Sequence, residues 1–164
     1  MGPTVNVTGK CLCGQIRLSG VLLAAGQVDV CHCESCQKWH GGFGLSMALA
    51  EPLKFETGAD LVQVHKSSEW GHRSFCKNCG TGLGFSAPAM GYFGVAPGVL
   101  EDKSGFFLRR EIFVDTKPEY LCFSGERPTM TGAEYLASLP SLSSSEERLP
   151  VLTCDVRESN IMRC

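Results

Sequence analysis

Short runs of alternating apolar and polar residues recur along most of the chain. Alternation over four to eight residues is typical of strands that bury one face. Clusters of Gly, Pro, Asp and Ser separate these runs and indicate turns. Strands are predicted at residues 5–8, 15–20, 28–31, 43–50, 53–57, 61–66, 70–75, 82–86, 92–95 and 111–114. Many short strands with turns between them predict antiparallel meanders, and therefore a mainly β fold.

One helix is predicted near the C-terminal end. The sequence Thr-Gly-Ala-Glu at residues 131–134 matches a capping box, a helical segment follows it, and Pro140 ends the helix. The next residues are rich in serine and have no clear periodicity. We therefore expect a single β domain over residues 5–140 and a loosely ordered tail over residues 141–164.

Composition narrows the function classes. The 164 residues are 43% hydrophobic and 20% charged, which excludes a chain that is disordered over its whole length. The net charge of −2 offers no basic excess for phosphates, so we expect no nucleic-acid partner. No stretch reaches the ~18 apolar residues of a membrane span, and the N-terminus lacks a signal-peptide core. These features predict a cytoplasmic protein without a membrane partner.

The chain contains ten cysteines, and seven of them form three tight groups. In a cytoplasmic protein, clustered cysteines indicate metal binding rather than disulfides. Thiolates one or two residues apart pair poorly in disulfides but can chelate one zinc ion together. The groups are Cys11 and Cys13, then Cys31, Cys33 and Cys36, then Cys76 and Cys79.

The first and third groups are each followed by a glycine, Gly14 or Gly80. In a zinc knuckle, that glycine lets the backbone turn beneath the metal and direct N–H groups at the thiolates. Two knuckles supply the four ligands of a closed structural zinc site. The predicted ligands are Cys11, Cys13, Cys76 and Cys79.

Cys31, Cys33 and Cys36 remain as a group of three. Three protein ligands leave one tetrahedral position open, as catalytic zinc requires. Alternatively, His40 fills that position and makes a second structural site. Spacing alone favours neither alternative. His32 is a poorer ligand, because its neighbours Cys31 and Cys33 use the local chain geometry.

Several other residues have structural interpretations. Cys122 lies in an apolar run and is predicted to be a core residue. The aromatic residues that flank the cysteine groups are predicted to form the core around the metals: Trp39, Phe43, Trp70 and Phe75. Three histidines are candidate proton shuttles near neutral pH, although a lone histidine is more often structural: His32, His40 and His72.

The three cysteine motifs resemble the glutathione-dependent formaldehyde-activating enzyme family, which also includes centromere protein V. The family pattern is Cys-x-Cys-Gly, Cys-His-Cys-x-x-Cys and Phe-Cys-x-x-Cys-Gly-Thr. It corresponds here to residues 11–14, 31–36 and 75–81, with the same order and internal spacing. The resemblance extends over about residues 6–140, so the serine-rich tail lies outside it.

The resemblance implies a β-tent fold, zinc-ribbon-like and mostly antiparallel, with a short C-terminal helix. It implies a structural zinc on the four knuckle cysteines. It also implies a loosely held, partly occupied catalytic zinc on Cys31, Cys33 and Cys36. The implied activity is that of a carbon–sulfur lyase joining glutathione and formaldehyde as S-hydroxymethylglutathione, so the expected partner is a small thiol.

Two functions therefore follow from the sequence. The first is a zinc-dependent lyase that binds the substrate thiol, because three thiolates give the zinc site a net charge of about −1 and weaken its Lewis acidity toward an aldehyde. The second is a non-catalytic, zinc-stabilised binding module, which applies if His40 closes the site. Arg73 and Lys38 are candidate partners for the carboxylates of glutathione, although an ordinary surface charge is the simpler interpretation of each.

Overall fold

The computed structural model describes residues 3–139. Within this range, strands predominate and two short helices accompany them, α1 at Glu34–His40 and α2 at Gly132–Ala137. The strands are β1 Val5–Lys10, β2 Arg17–Leu22, β3 Gln27–Cys31, β4 Gly44–Leu49, β5 Lys54–Thr57, β6 Val62–Lys66, β7 His72–Cys76, β8 Gly82–Ala87, β9 Tyr92–Val95, β10 Phe107–Ile112 and β11 Thr129–Met130. The predicted tail at residues 141–164 lies outside the described residues.

All of these strands belong to one sheet. Its main order is β11-β10-β3-β4-β9-β8-β7-β6, while β2 pairs with β4 and is flanked by β1 and β5. The prediction of a mainly β fold with a short C-terminal helix is confirmed. Most pairs are antiparallel, but β10 runs parallel to both β3 and β11. Parallel neighbours need a crossover rather than a hairpin, so a purely meandering sheet is not what forms.

The core follows from the alternation that the sequence shows. In β2, Leu18, Gly20 and Leu22 are buried and the residues between them are not. These leucines pack with apolar residues of β3, β4, β8 and β9. Cys11 and Cys76 are 2% and 0% exposed and belong to the same cluster. The predicted structural metal site therefore lies against the hydrophobic core.

Helix α1 is not among the elements that the sequence predicts. The N-cap of α1 explains why this helix forms. Cys33 is the N-cap residue, and its Sγ accepts a hydrogen bond of 3.5 Å from the backbone N–H of Cys36. Gly41 ends the helix in the left-handed conformation at φ 77°, where its N–H donates to the carbonyl of Gln37. Two cysteines of the second group are thus part of the helix start. At α2, the predicted capping box between Thr131 and Glu134 is present.

Two further findings concern Cys122 and the possibility of a membrane-spanning helix. The prediction that Cys122 is a core residue is wrong, because the apolar run around it lies in a loop where Cys122 is exposed and Phe123 packs against Phe43. None of the helices between residues 3 and 139 has the length and apolar character needed to cross a bilayer.

Candidate metal centres

The first cluster brings together the two predicted knuckles. The sulfur atoms of Cys11, Cys13, Cys76 and Cys79 all lie within 4.8 Å of one another. Each knuckle turns in the same way, since the N–H of Gly14 donates to the carbonyl of Cys11 and the N–H of Gly80 donates to that of Cys76, at 2.9 and 2.8 Å. Both glycines have φ near 75°, which a residue with a Cβ adopts only with strain.

The donor set of this first cluster fits tetrahedral zinc. Zn–S bonds of about 2.3 Å require sulfur–sulfur distances of about 3.8 Å. The Sγ atom of Cys13 lies 3.3 Å from that of Cys11 and 3.9 Å from that of Cys76. The backbone N–H of Ile16 also donates to Cys11 Sγ at 3.3 Å. N–H donors of this kind stabilise thiolate ligands.

Thr81 connects the two knuckles, a role that the sequence analysis did not assign. Its Oγ1 atom lies 3.1 Å from Cys79 Sγ and accepts a hydrogen bond of 3.0 Å from the N–H of Leu12. Hydrogen bonding to Thr81 lowers the pKa of Cys79 to about 5, whereas burial raises the pKa of Cys76 to about 11. Thr81 therefore favours the charge state that a metal ligand needs.

The second cluster lies at the end of β3, a strand in the middle of the sheet. Cys31 ends β3, and Cys33 and Cys36 occupy the start of α1. Their three sulfur atoms lie within 4.8 Å of one another, and no fourth His, Cys, Asp or Glu among residues 3–139 completes this group. Three thiols suit zinc, and they leave one tetrahedral position without a protein ligand.

The three thiols of the second cluster form hydrogen bonds with one another. Hydrogen bonds from Cys31 and Cys36, with a smaller effect of the Arg73 charge, hold the pKa of Cys33 well below its usual range. Hydrogen bonding to Cys33 raises the pKa of Cys31. These hydrogen bonds favour the thiolate form of Cys33 over that of Cys31.

His40 lies beside this cluster but is not part of the sulfur group. A Cβ atom added to Gly44 would lie 3.0 Å from Cys36 Sγ and 3.2 Å from His40 Cδ2, so both side chains border the same glycine. Burial, assisted by the charge of Arg73, lowers the pKa of His40. The imidazole also borders an open cleft of about 310 Å³ that residues 40–43, Leu45 and residues 96–98 line.

Arg73 is buried against the second cluster, so its interpretation as a surface charge is wrong. The residue is 5% exposed, and its Nη2 atom lies 3.6 Å from Cys36 Sγ. Its guanidinium carbon lies 5.5 Å from the ring centroid of Trp39 and 5.3 Å from that of Phe85. Lys38, by contrast, has an 81% exposed side chain and is a surface residue.

His32 is fully buried, and its ring pairs with a carboxylate. Its Nε2 atom lies 2.9 Å from Glu111 Oε2, which also accepts a hydrogen bond of 2.6 Å from Lys117 Nζ. Glu111 Oε1 accepts one of 2.7 Å from Arg127 Nη1. The backbone carbonyl of His32 accepts hydrogen bonds from Gln37 Nε2 and Thr116 Oγ1. These contacts fix the loop that carries Cys31 and Cys33. No sequence pattern had indicated a role for Glu111, Lys117 or Arg127.

The aromatic residues that flank the cysteines are core residues only in part. Trp39 and Trp70 are 37% and 39% exposed, so the core prediction is wrong for both. Trp39 stacks on His65, with 5.7 Å between ring centroids and 9° between planes, and contacts Phe75 edge to face. Phe43 packs against the rings of both His32 and Phe123, which also contact each other. The third candidate proton shuttle, His72, lies half-buried in β7.

Comparisons with known proteins identify the family of this chain. The profile of the glutathione-dependent formaldehyde-activating enzyme family matches residues 6–116. The chain therefore belongs to that family. A curated Schizosaccharomyces pombe protein named as an uncharacterized lyase is 24% identical over 132 residues, which cover 80% of this chain and 95% of that protein. A crystal structure of a Rhodobacter sphaeroides protein is 23% identical, with a TM-score of 0.49, and covers 57% of this chain and 87% of that chain.

Proposed function

We propose that this family member is a zinc-dependent carbon–sulfur lyase that acts on an adduct of glutathione, or of another small thiol, with an aldehyde such as formaldehyde. The observation that carries the proposal is the second cluster, where Cys31, Cys33 and Cys36 converge without a fourth protein donor among the described residues. A three-ligand zinc site can accept a substrate atom. The proposal also rests on the family membership and on the lyase name of the yeast relative.

The proposed reaction forms or breaks one carbon–sulfur bond. In the direction of synthesis, the thiol loses its proton, its sulfur attacks the aldehyde carbon, and the carbonyl oxygen takes up a proton to become the hydroxyl group of the adduct. Zinc held by the three cysteines would stabilise the substrate thiolate at neutral pH. Three thiolate ligands favour this role over activation of the aldehyde oxygen, because they leave the site with a charge of about −1.

The chain contributes the positions of the ligands and their electrostatic surroundings. Cys33 and Cys36 are fixed by the start of α1, while Cys31 is fixed by the pairing of β3 with β4 and β10. Hydrogen bonds at the side chain and at the backbone carbonyl of His32 hold the same loop in place. The first cluster has a structural part in the proposal, since a zinc there would join the end of β1 to the end of β7.

The proposal also includes a cellular compartment, a partner and a domain boundary. Unpaired cysteines in the described part of the chain suit a reducing compartment, and we propose a cytoplasmic location and a small-molecule thiol partner. A domain over residues 5–140 is proposed as the catalytic unit.

The position of His40 favours a second candidate function. Its imidazole lies on the same side of Gly44 as Cys36 Sγ. If it rotated to become a fourth ligand, the site would be closed and the protein would be a zinc-stabilised binding module without catalysis.

A turnover assay tests the lyase proposal. Zinc-loaded protein should accelerate formation and cleavage of the glutathione–formaldehyde adduct above a matched blank, which is required because the adduct also forms without an enzyme. The substitution Cys33→Ala should abolish this excess rate. The matched control is Cys122→Ser, which changes an exposed thiol outside both clusters. Equal turnover by the wild type and Cys33→Ala, or no excess rate for the wild type with any small thiol, would contradict the proposal.

A further inference from the structure

We infer that Arg73 makes the second cluster selective for an anionic fourth ligand, so that the site binds a substrate as its thiolate in preference to a neutral ligand. The inference rests on the proposed function of this cluster as a metal site that accepts a ligand. It adds a specificity-determining residue, which acts through the charge it places beside Cys36.

The burial of Arg73 is the first observation. A cation that is only 5% exposed is costly unless an anion compensates it. Among residues 3–139, no carboxylate forms an ion pair with Arg73, whereas the other buried or half-buried arginines pair with Asp29 or Glu111. Its hydrogen-bonding contact is with the sulfur of Cys36. The anion that Arg73 compensates is therefore the cysteine cluster.

The guanidinium group is held in place from several sides. Arg73 lies in β7, paired with His65 of β6 and Phe85 of β8. The rings of Trp39 and Phe85 both lie within cation–π distance of the guanidinium. His65 in turn stacks on Trp39. A cation enclosed in this way stays beside the cluster rather than swinging out to solvent.

The charges explain the selectivity. Three thiolates and one divalent zinc carry about −1, and a bound thiolate would take this to about −2 in a partly buried site. Repulsion of that kind is strong where water is excluded. The positive charge of Arg73 offsets one negative charge, which favours an anionic ligand and leaves the binding of a neutral ligand almost unchanged. A purely structural arginine would instead affect all ligands alike.

The experiment uses full-length protein with zinc in the first cluster and cobalt in the second. Ligand binding to an open cobalt site changes its visible absorption, while the saturated first cluster contributes no change. The protein is titrated separately with glutathione, with thiocyanate as a simple anion, and with imidazole as a neutral ligand. The variants are Arg73→Gln and Arg73→Lys, and the control is Lys54→Gln, which removes an exposed cation of β5.

Arg73→Gln should raise the dissociation constants of glutathione and thiocyanate about tenfold or more and that of imidazole less than about twofold. Arg73→Lys should give intermediate values, because it keeps the charge on a shorter and differently shaped group. Lys54→Gln should match the wild type. Equal weakening of all three ligands, or unchanged thiocyanate binding in Arg73→Gln, would overturn the inference.

Three further outcomes can be told apart. If Arg73→Gln fails to fold, Arg73→Met decides, because it removes the charge but keeps an unbranched side chain, and an unchanged ratio of thiocyanate to imidazole affinity in that variant overturns the inference. If the wild type binds thiocyanate selectively but no thiol, the thiol-lyase proposal fails while the role of Arg73 stands. If the wild type binds thiols and Arg73→Gln binds them equally well, the lyase proposal stands and the role of Arg73 fails.

Discussion

The imidazole of His32 and the carboxylate of Glu111 form a buried pair, with 2.9 Å between Nε2 and Oε2, although 79 residues separate them in sequence. His32 lies between two ligands of the second cluster, and Glu111 lies in the parallel strand β10. Lys117 and Arg127 surround the same carboxylate. The position of the cysteine loop thus depends on a strand and a connecting segment far away in the chain.

Glu111→Gln should destabilise the protein by about 3 kcal/mol at pH 7, because it leaves buried cations beside a neutral amide. Burial opposes ionisation of Glu111, but hydrogen bonds from Lys117, Arg127 and His32 outweigh it and lower its pKa to about 2, from a usual 4.5. The stabilisation is therefore complete above about pH 4.5 and is lost as the pH falls toward 2. Urea unfolding at pH 7 and pH 3 checks this, since the difference between variant and wild type should shrink at the lower pH. Glu101→Gln, at an exposed carboxylate, is the control and should change little.

Cys79→Ser should remove zinc from the first cluster and prevent accumulation of soluble folded protein, because metal binding and folding are coupled at a closed structural site. Zinc content and thermal unfolding measure the effect. Cys122→Ser, which alters a thiol outside both clusters, should keep the wild-type values. An unchanged melting temperature and zinc content in Cys79→Ser would falsify the structural assignment.

Mild chelation should remove zinc from the second cluster first. Its three cysteines come from one short segment and would leave an exchangeable position on the metal, whereas the four cysteines of the first cluster come from two distant segments. We expect turnover to disappear with the first equivalent of zinc, the circular dichroism spectrum to stay constant, and activity to return when zinc is restored. Loss of the β spectrum together with the first equivalent would show that the order is reversed.

His40→Ala distinguishes an open second site from a closed one. We expect zinc content and melting temperature close to those of the wild type, because His40 is outside the group of converging donors. Cys36→Ala supplies the comparison, since it removes a ligand from the same helix. A loss of stability and zinc in His40→Ala as large as in Cys36→Ala would favour the binding-module function over the lyase.

A chain that ends at residue 140 should retain the fold and the turnover. The described sheet, both cysteine clusters and α2 all lie before that point. Thermal unfolding and the adduct assay on the shortened chain check the proposed domain boundary. A shortened chain that does not fold would show that the C-terminal residues contribute to the core.

Most strands could be predicted from the sequence because their signal is local. An alternating run such as β2, with Leu18 and Leu22 buried, needs no knowledge of its neighbours. The start of β10 at Phe107 could not be predicted, because three consecutive charged residues interrupt the alternation and its parallel partner β3 lies far upstream. No local pattern reports such a pairing.

The cysteine groups could be predicted from the sequence, whereas the residues that surround them could not. Cysteines at knuckle spacing identify their own partners, which is why both sulfur groups could be predicted. The environment of Arg73 could not, because its sulfur partner is 37 residues upstream and its aromatic neighbours come from α1 and β8. Cys122 shows the reverse error, since an apolar run in a loop has the composition of a core strand without its burial.

The contrast between the two clusters also sets an order of events during folding. The thiols at residues 31–36 can meet once a single helical turn has formed, which takes well under a millisecond. The four-cysteine site must first close a loop of 63 residues between Cys13 and Cys76, and long-range closure is slow. We therefore expect the site that loses zinc most easily at equilibrium to be the one that captures it soonest in a newly synthesised chain. An ion held briefly there would accompany the chain until the tighter site has formed.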